Sequence, residues 1–204
     1  MTPELDRRTA LRMALLAAVP NLIAHATDGC AAEPVTRLPA RGVTDPLHDF
    51  DFFFGTWRAH HLRLKERLAH STEWIEFDGT SVVQPLLGGR GNVDDNLINL
   101  PGGAYYGVTL RAFDARTRTW AIWWLDERFP QTIDAPVIGG FTNGVGNFFA
   151  DDTLRGEPIK VRYRVSRLTP TTRRWEQAFS PDGGSNWETN WVTTFTRTGA
   201  PAAS

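Results

Sequence analysis

The chain predicts an all-β fold, a closed antiparallel up-and-down barrel of about ten strands. Three observations carry that expectation. From Gly55 onward nearly every segment alternates apolar and polar residues, the period of strands with one buried face. Gly, Pro, Asp and Thr interrupt the alternation at hairpin spacing. No segment repeats apolar residues with the helical period over the length an amphipathic helix needs.

Strands are expected at 55–66, 72–84, 91–100, 104–113, 119–126, 131–139, 145–151, 158–167, 173–180 and 187–197. A short capped turn, Asp45-Pro46-Leu47-His48-Asp49, precedes the first of them. Explicit reversals lie at 113–117, 151–156, 169–172 and 180–184, and Gly102-Gly103 and Gly139-Gly140 read as further turns between strands. The cleanest alternation, Ile159 to Val165, sets Lys160, Arg162 and Arg164 against an inner face. The same parity puts Trp175, Gln177 and Phe179 on one face of the next strand, and Trp187, Trp191, Phe195 and Arg197 on one face of the last. Connections this short make neighbours antiparallel, because a parallel crossover needs on the order of a dozen residues. A meander of this length curls and closes, which removes the exposed edges of an open sheet. Closure brings the outer strands together, so Trp57 is expected to meet Arg197 and plug the floor as an indole under a guanidinium.

Gly55-Thr56-Trp57 on the first strand, with a basic residue closing the last, resembles the pattern of the calycins, the lipocalin and fatty-acid-binding-protein group of small-molecule barrels. Asp49-Phe50-Asp51-Phe52, Trp120-Ala121-Ile122-Trp123-Trp124, Trp175-Glu176-Gln177-Ala178-Phe179-Ser180 and Trp187-Glu188-Thr189 are similar, more specifically, to a bacterial family of lipocalin-like barrels. The resemblance covers roughly residues 47 to 197. It implies the fold and brings no activity with it.

Ahead of the barrel, Arg7-Arg8 precedes an apolar run from Met13 to Val19 and on to Ile23, and Ala24-His25-Ala26 supplies a small-x-small cleavage pattern. Residues 1–26 therefore read as a twin-arginine export signal, which makes the protein periplasmic or secreted. An Ala-, Pro- and Arg-rich lead-in follows at 27–46, then the barrel at 47–198 and a disordered tail at 199–204. The single cysteine, Cys30, forbids an internal disulfide and cannot form a thiolate metal site alone. Thr27-Asp28-Gly29 before it lacks the apolar residue of a lipoprotein site. With 22 Lys+Arg against 23 Asp+Glu, and a net charge of -1, the chain offers no basic field for nucleic acid or anionic lipid. The apolar run of the leader is too short for a permanent membrane span. The expected partner is a small molecule.

A barrel of this size has room for one such ligand, so inward polar side chains become the candidates. His61 shares the parity of Trp57 while His60 faces out, and an inward imidazole can take a proton, bind a metal or simply hydrogen-bond a neighbour. Arg63 follows on that face, placed either to meet an anion or to be solvated at the mouth. Glu73 shares the face of Ile75 and Phe77, where apolar surroundings would raise a carboxyl pKa and suit it to general acid or base work. One of Trp123 and Trp124 must face the cavity, and Asp126 shares a face with Trp124, a platform for a flat or cationic ligand. Asn92 to Asn99 crowds Asp and Asn where strands rarely hold them. It reads as a mouth loop for a polar ligand or as an Asx-rich turn, and the spacing of an EF-hand calcium loop is missing. Gln177, between Trp175 and Phe179, needs a polar partner or a ligand.

Ligand contacts are accordingly expected from Arg63, Asn96, Tyr106, Trp123, Trp124, Gln177 and Trp191, and any proton transfer from His61, Glu73 or Asp126. No metal or other cofactor is expected. The haem barrels of related fold take an axial histidine late in the chain, and here none follows His70. The chain has no nucleophile elbow, no phosphate-cradling glycine loop before a helix and no histidine pair at helical spacing. Two functions fit: an exported carrier of an apolar or aromatic molecule in a Trp-lined cavity, or an isomerase, cyclase or hydrolase of the same shape working by general acid–base chemistry.

Overall fold

A computed structural model of the chain describes residues 45–200; the expected export signal, nearly all of the lead-in and the end of the tail lie outside the described residues. Ten strands follow one another as β1 (Gly55–Leu64), β2 (Trp74–Leu86), β3 (Gly91–Ile98), β4 (Tyr105–Asp114), β5 (Thr119–Asp126), β6 (Val137–Thr142), β7 (Val145–Leu154), β8 (Glu157–Thr169), β9 (Thr172–Ser180) and β10 (Glu188–Gly199). Each pairs antiparallel with its chain neighbours, and β1 closes on β10 to complete the barrel. Two-residue reversals are built on positive φ, as at Asn143-Gly144 and Arg155-Gly156, the geometry that matches the twist of a tight hairpin. No helix among the described residues is long and apolar enough to cross a membrane.

The sixth strand departs from the alternation. It was expected at 131–139 and lies at Val137–Thr142, because Pro136 has no amide hydrogen to give a ladder and the chain before it is spent on turns from Asp126 to Thr132. Only Trp120 to Ile122 of β5 pair with β6, with an isolated bridge from Leu125 to Ile133 above them. Gly139 and Gly140 are strand residues, not a turn: a Cβ on Gly139 would lie 1.9 Å from the Asn147 carbonyl oxygen, so the missing side chain lets β6 and β7 approach closely.

The aromatic lead-in seals one end of the barrel. Two single-turn 3-10 segments, Pro46–His48 and Asp51–Phe53, run across it, the first capped by the Asp45 carboxylate accepting from Leu47 N at 3.2 Å. Phe50 and Phe53 sink into the interior, where Phe50 meets Trp120 edge-on at 4.9 Å and Phe141 at 5.0 Å. The indole N–H of Trp57 donates to the Phe53 carbonyl at 2.8 Å, and that of Trp120 to the Pro46 carbonyl at 2.9 Å. As the sequence led one to expect, Arg197 lies 4.1 Å from the Trp57 ring, and it also donates to the carbonyls of Phe52 and Phe54.

A second guanidinium completes this floor. Arg173 is 0% exposed and lies 3.7 Å from the Phe53 ring, 4.2 Å from Trp57 and 4.3 Å from Phe195, donating to the Phe53 carbonyl at 3.2 Å. Above it, the Asp- and Asn-rich segment is neither a mouth loop nor an Asx turn. It is strand β3, with Asn92, Asp94 and Asn96 buried. Arg111 donates to Asp94 Oδ2 and to Asn92 Oδ1, both at 2.9 Å, while Asp94 Oδ1 accepts from Thr109 N at 3.1 Å. The polar residues that strands usually exclude are thus the counter-charge and dipoles for a buried arginine.

Breaking a buried ion pair strands a charge and costs about 3–5 kcal/mol, whereas replacing both partners by apolar residues costs far less. In equilibrium urea unfolding Asp94→Ala should therefore lose about that amount, and Asp94→Leu with Arg111→Met together should lose less than the single change. Equal losses would contradict the pairing.

Candidate functional site

The end opposite the floor carries the longer connections, at 65–73, 99–104, 127–136 and 181–187. Beneath them, alternation aims His61 and Arg63 of β1, Phe77 of β2, Tyr105 of β4, Trp124 of β5, Tyr163 of β8, Trp175 and Gln177 of β9, and Trp191 of β10 toward the barrel axis. Trp124, Tyr163, Trp175 and Trp191 nevertheless keep partial exposure, so the upper half is not packed shut. Trp175 meets Tyr163 at 5.0 Å and Trp191 at 5.8 Å, both edge-on, forming a continuous aromatic wall. Trp124, not Trp123, faces inward, and Gly107 makes its room: a Cβ there would fall 2.1 Å from the indole. Near the rim a cavity of about 430 Å³ is lined by Leu68, Leu154, Arg155, Glu157, Pro158, Ile159 and Pro181.

His61 is the best-defined polar group here. It stacks on Phe77 at 4.8 Å, and its Nδ1 accepts from the Trp191 indole N–H at 3.2 Å and lies 2.8 Å from Thr193 Oγ1. An indole can only donate, so Nδ1 is the acceptor and the ring proton sits on Nε2. That atom is buried without a partner. Burial, followed by the charge of His60, pushes the imidazole pKa down to about 4, and the ring is neutral at physiological pH.

The other sequence candidates divide into two groups. Arg63 lies 5.3 Å over the Trp191 ring, Asn96 donates to the carbonyls of Gly107 at 3.0 Å and Asp94 at 3.3 Å, and Gln177 donates to Asn190 Oδ1 at 2.9 Å. These face inward with Trp124 and Trp191. Asp126 is inward by parity but clamped by Arg128, which donates at 2.8 and 2.6 Å. Burial alone would raise its carboxyl pKa, and the Arg128 hydrogen bonds reverse that to a net lowering. Tyr106 is 51% exposed on the outer face, and Trp123 also points away from the axis. Glu73 precedes β2, exposed and bonded to Lys65 Nζ at 2.8 Å. Its pKa is lowered, first by that hydrogen bond, rather than raised as an apolar face would have it.

A bulge between Thr189 and Trp191 accounts for a further correction. It turns Asn190 inward and sends Trp187 outside, against Phe149 at 6.0 Å and beneath Arg162 at 4.6 Å. Arg111, Arg173, Tyr105 and Asn190 were missed by sequence reasoning. Arg173 shares the parity of Trp175, Gln177 and Phe179, and that signal was readable; Tyr105 and Arg111 lie on the face opposite Tyr106, the one residue of β4 singled out from the sequence, and Asn190 was hidden by the bulge. Among the described residues, no group of three His, Cys, Asp or Glu side chains could hold a metal ion.

No family model matches the chain, and no curated protein does. Among solved structures it is similar to the S-type phycobiliprotein lyase CPES from Guillardia theta, with 11% identity over 73% of this chain and 90% of that one and a TM-score of 0.50. It also matches EF1p2_mFAP2b bound to DFHBI, at 12% identity over 75% of this chain and 99% of that one, with a TM-score of 0.42. A redesigned β-barrel matches at 11% identity over 76% and 97%, with a TM-score of 0.41. At such identities the likeness to the lyase concerns the fold alone, a closed antiparallel all-β barrel.

A histidine whose pKa falls from 6.5 unfolded to about 4 folded leaves the unfolded chain holding more protons between those values. Stability from this group is therefore complete above the unfolded pKa and is lost as pH falls toward 4. The stability difference between wild type and His61→Gln should shrink by as much as about 3 kcal/mol from pH 7 to pH 4. Urea unfolding at both pH values would show it; a pH-independent difference would rule it out.

Proposed function

We propose that this protein is an exported barrel that binds an apolar or aromatic small molecule in the upper half of its interior, against the wall of Trp124, Trp175 and Trp191. The observation that carries this reading is the partial exposure of inward-facing aromatics inside an otherwise closed wall. Large apolar surface held open to water is costly at roughly 25 cal/mol per Å², and a ligand that covers it recovers that energy. Gln177 with Asn190, and Asn96, supply the few fixed dipoles that orient a ligand in such a pocket.

The enzymatic alternative draws less support from the geometry. A general base must reach a substrate proton with a free lone pair, yet His61 Nδ1 is occupied, Asp126 is clamped, and Glu73 lies outside the wall.

N-phenylnaphthylamine, a neutral dye that brightens in apolar surroundings, should bind one to one. Trp191→Ala should weaken it by about tenfold, equal to 1.4 kcal/mol, and Tyr106→Ser on the outer face should leave it unchanged; equal effects from both would place the dye elsewhere. For the export reading, N-terminal sequencing of protein recovered from the periplasm should begin near Thr27, and Arg7→Lys with Arg8→Lys should leave the chain uncleaved in the cytoplasm.

A further inference from the structure

The mouth of the barrel holds two arginines that the fold does not neutralise. Arg63 ends the inward row of β1 over Trp191, and Arg67, from the 65–73 connection, folds over the inward ring of Phe179 at 5.7 Å. Arg63 Nε is buried with no hydrogen-bond partner. Burial is the largest influence on both guanidiniums, and it lowers both pKa values from the ordinary arginine value. The charges that act on Arg63 are Tyr105 and Arg128, and those on Arg67 are Arg63, Tyr105, Arg155 and Tyr163; no carboxylate is among them.

The carboxylates nearby are committed. Asp126 is tied up by Arg128, which itself stacks 3.7 Å from the Tyr105 ring. Glu188 Oε1 accepts from Leu68 N at 2.7 Å. Asp126, Arg128, Arg63 and Arg67 all act on the Tyr105 phenol, whose pKa is raised, chiefly by burial, so that it remains a neutral hydroxyl. Asp126 and Arg128 offset one another at that hydroxyl, which leaves Arg63 and Arg67 acting on it with no carboxylate among the groups that act on either guanidinium. A desolvated, unpaired guanidinium costs several kcal/mol, and nothing in the packing of Arg63 or Arg67 requires one: an apolar side chain would cover Trp191 or Phe179 equally well. An anion arriving with the ligand would use the charge, because guanidinium recognises oxyanions through paired N–H donors.

We propose that the ligand is an organic anion, an apolar or aromatic body with one oxyanion head, and that Arg63 and Arg67 hold the head beside the Tyr105 hydroxyl while the body lies on the tryptophan wall. This rests on the binding function proposed above. It places the head at the mouth and leaves the deeper Arg111 and Arg173 to the floor.

Two dyes that differ only in the head group test it. Anilinonaphthalene sulfonate carries the anion; N-phenylnaphthylamine is the same skeleton without it, and mutual competition establishes that both occupy one site. The wild-type protein should bind the sulfonate at least about tenfold more tightly. Arg63→Met with Arg67→Met should bring the ratio of the two affinities to within about twofold of one, and Arg63→Lys with Arg67→Lys should keep most of the preference. Equal affinity for the two dyes in the wild type, or a preference that survives the double methionine variant, overturns the anion assignment and leaves the binding function standing. If neither dye enters the barrel, the binding function itself fails and takes the assignment with it.

Discussion

The whole structure hangs on how Trp57 is held. Its ring lies against two guanidiniums, Arg173 and Arg197, and its N–H is fixed to the carbonyl of Phe53. Those guanidiniums in turn donate to the carbonyls of Phe52, Phe53 and Phe54. One cluster therefore ties the segment before β1 to β1, β9 and β10, the strands at the closing seam. The arrangement has a cost, since a fully buried arginine loses its hydration. Three aromatic faces, a carbonyl and the field of Asp94 offset it.

A floor this dense decides where function can lie. Phe50, Phe53, Trp57, Trp120, Phe148 and Phe195 fill the lower half, and the Arg111 and Asp94 pair forms a polar layer above them. The inward aromatics that keep partial exposure, Trp124, Tyr163, Trp175 and Trp191, lie toward the mouth, where no carboxylate acts on Arg63 or Arg67. Dense packing below and partly exposed aromatics above suit the proposed binding function: a seam that does not open, and a wall of Trp124, Trp175 and Trp191 held on strands.

Much of this was legible from residue order. The parity of Trp57, His61 and Arg63 on β1, and of Trp175, Gln177 and Phe179 on β9, survives because neither strand bulges across those residues. Legibility failed where local geometry broke the period. The bulge before Trp191 sent Trp187 outward and Asn190 inward, and Pro136 delayed β6. Asn92, Asp94 and Asn96 misled for a different reason. Their composition says turn, yet their true role depends on Arg111, on the next strand, and on Arg173, remote in sequence. Tertiary charge balance of that kind overrides strand propensity and leaves no local trace. Tyr106 and Trp123 looked like ligand groups by chemistry alone, and parity sets them outside.

The claim on which the rest depends is that the upper half of the barrel is an open aromatic chamber above a solid floor. Indole N–H resonances in a proton–nitrogen correlation spectrum report each tryptophan separately, so titration with N-phenylnaphthylamine tests it directly. Shifts at Trp124, Trp175 and Trp191, with Trp57 and Trp120 still, are the expected result. Shifts confined to Trp74 and Trp187 on the outside, or a floor that moves as much as the wall, would contradict it.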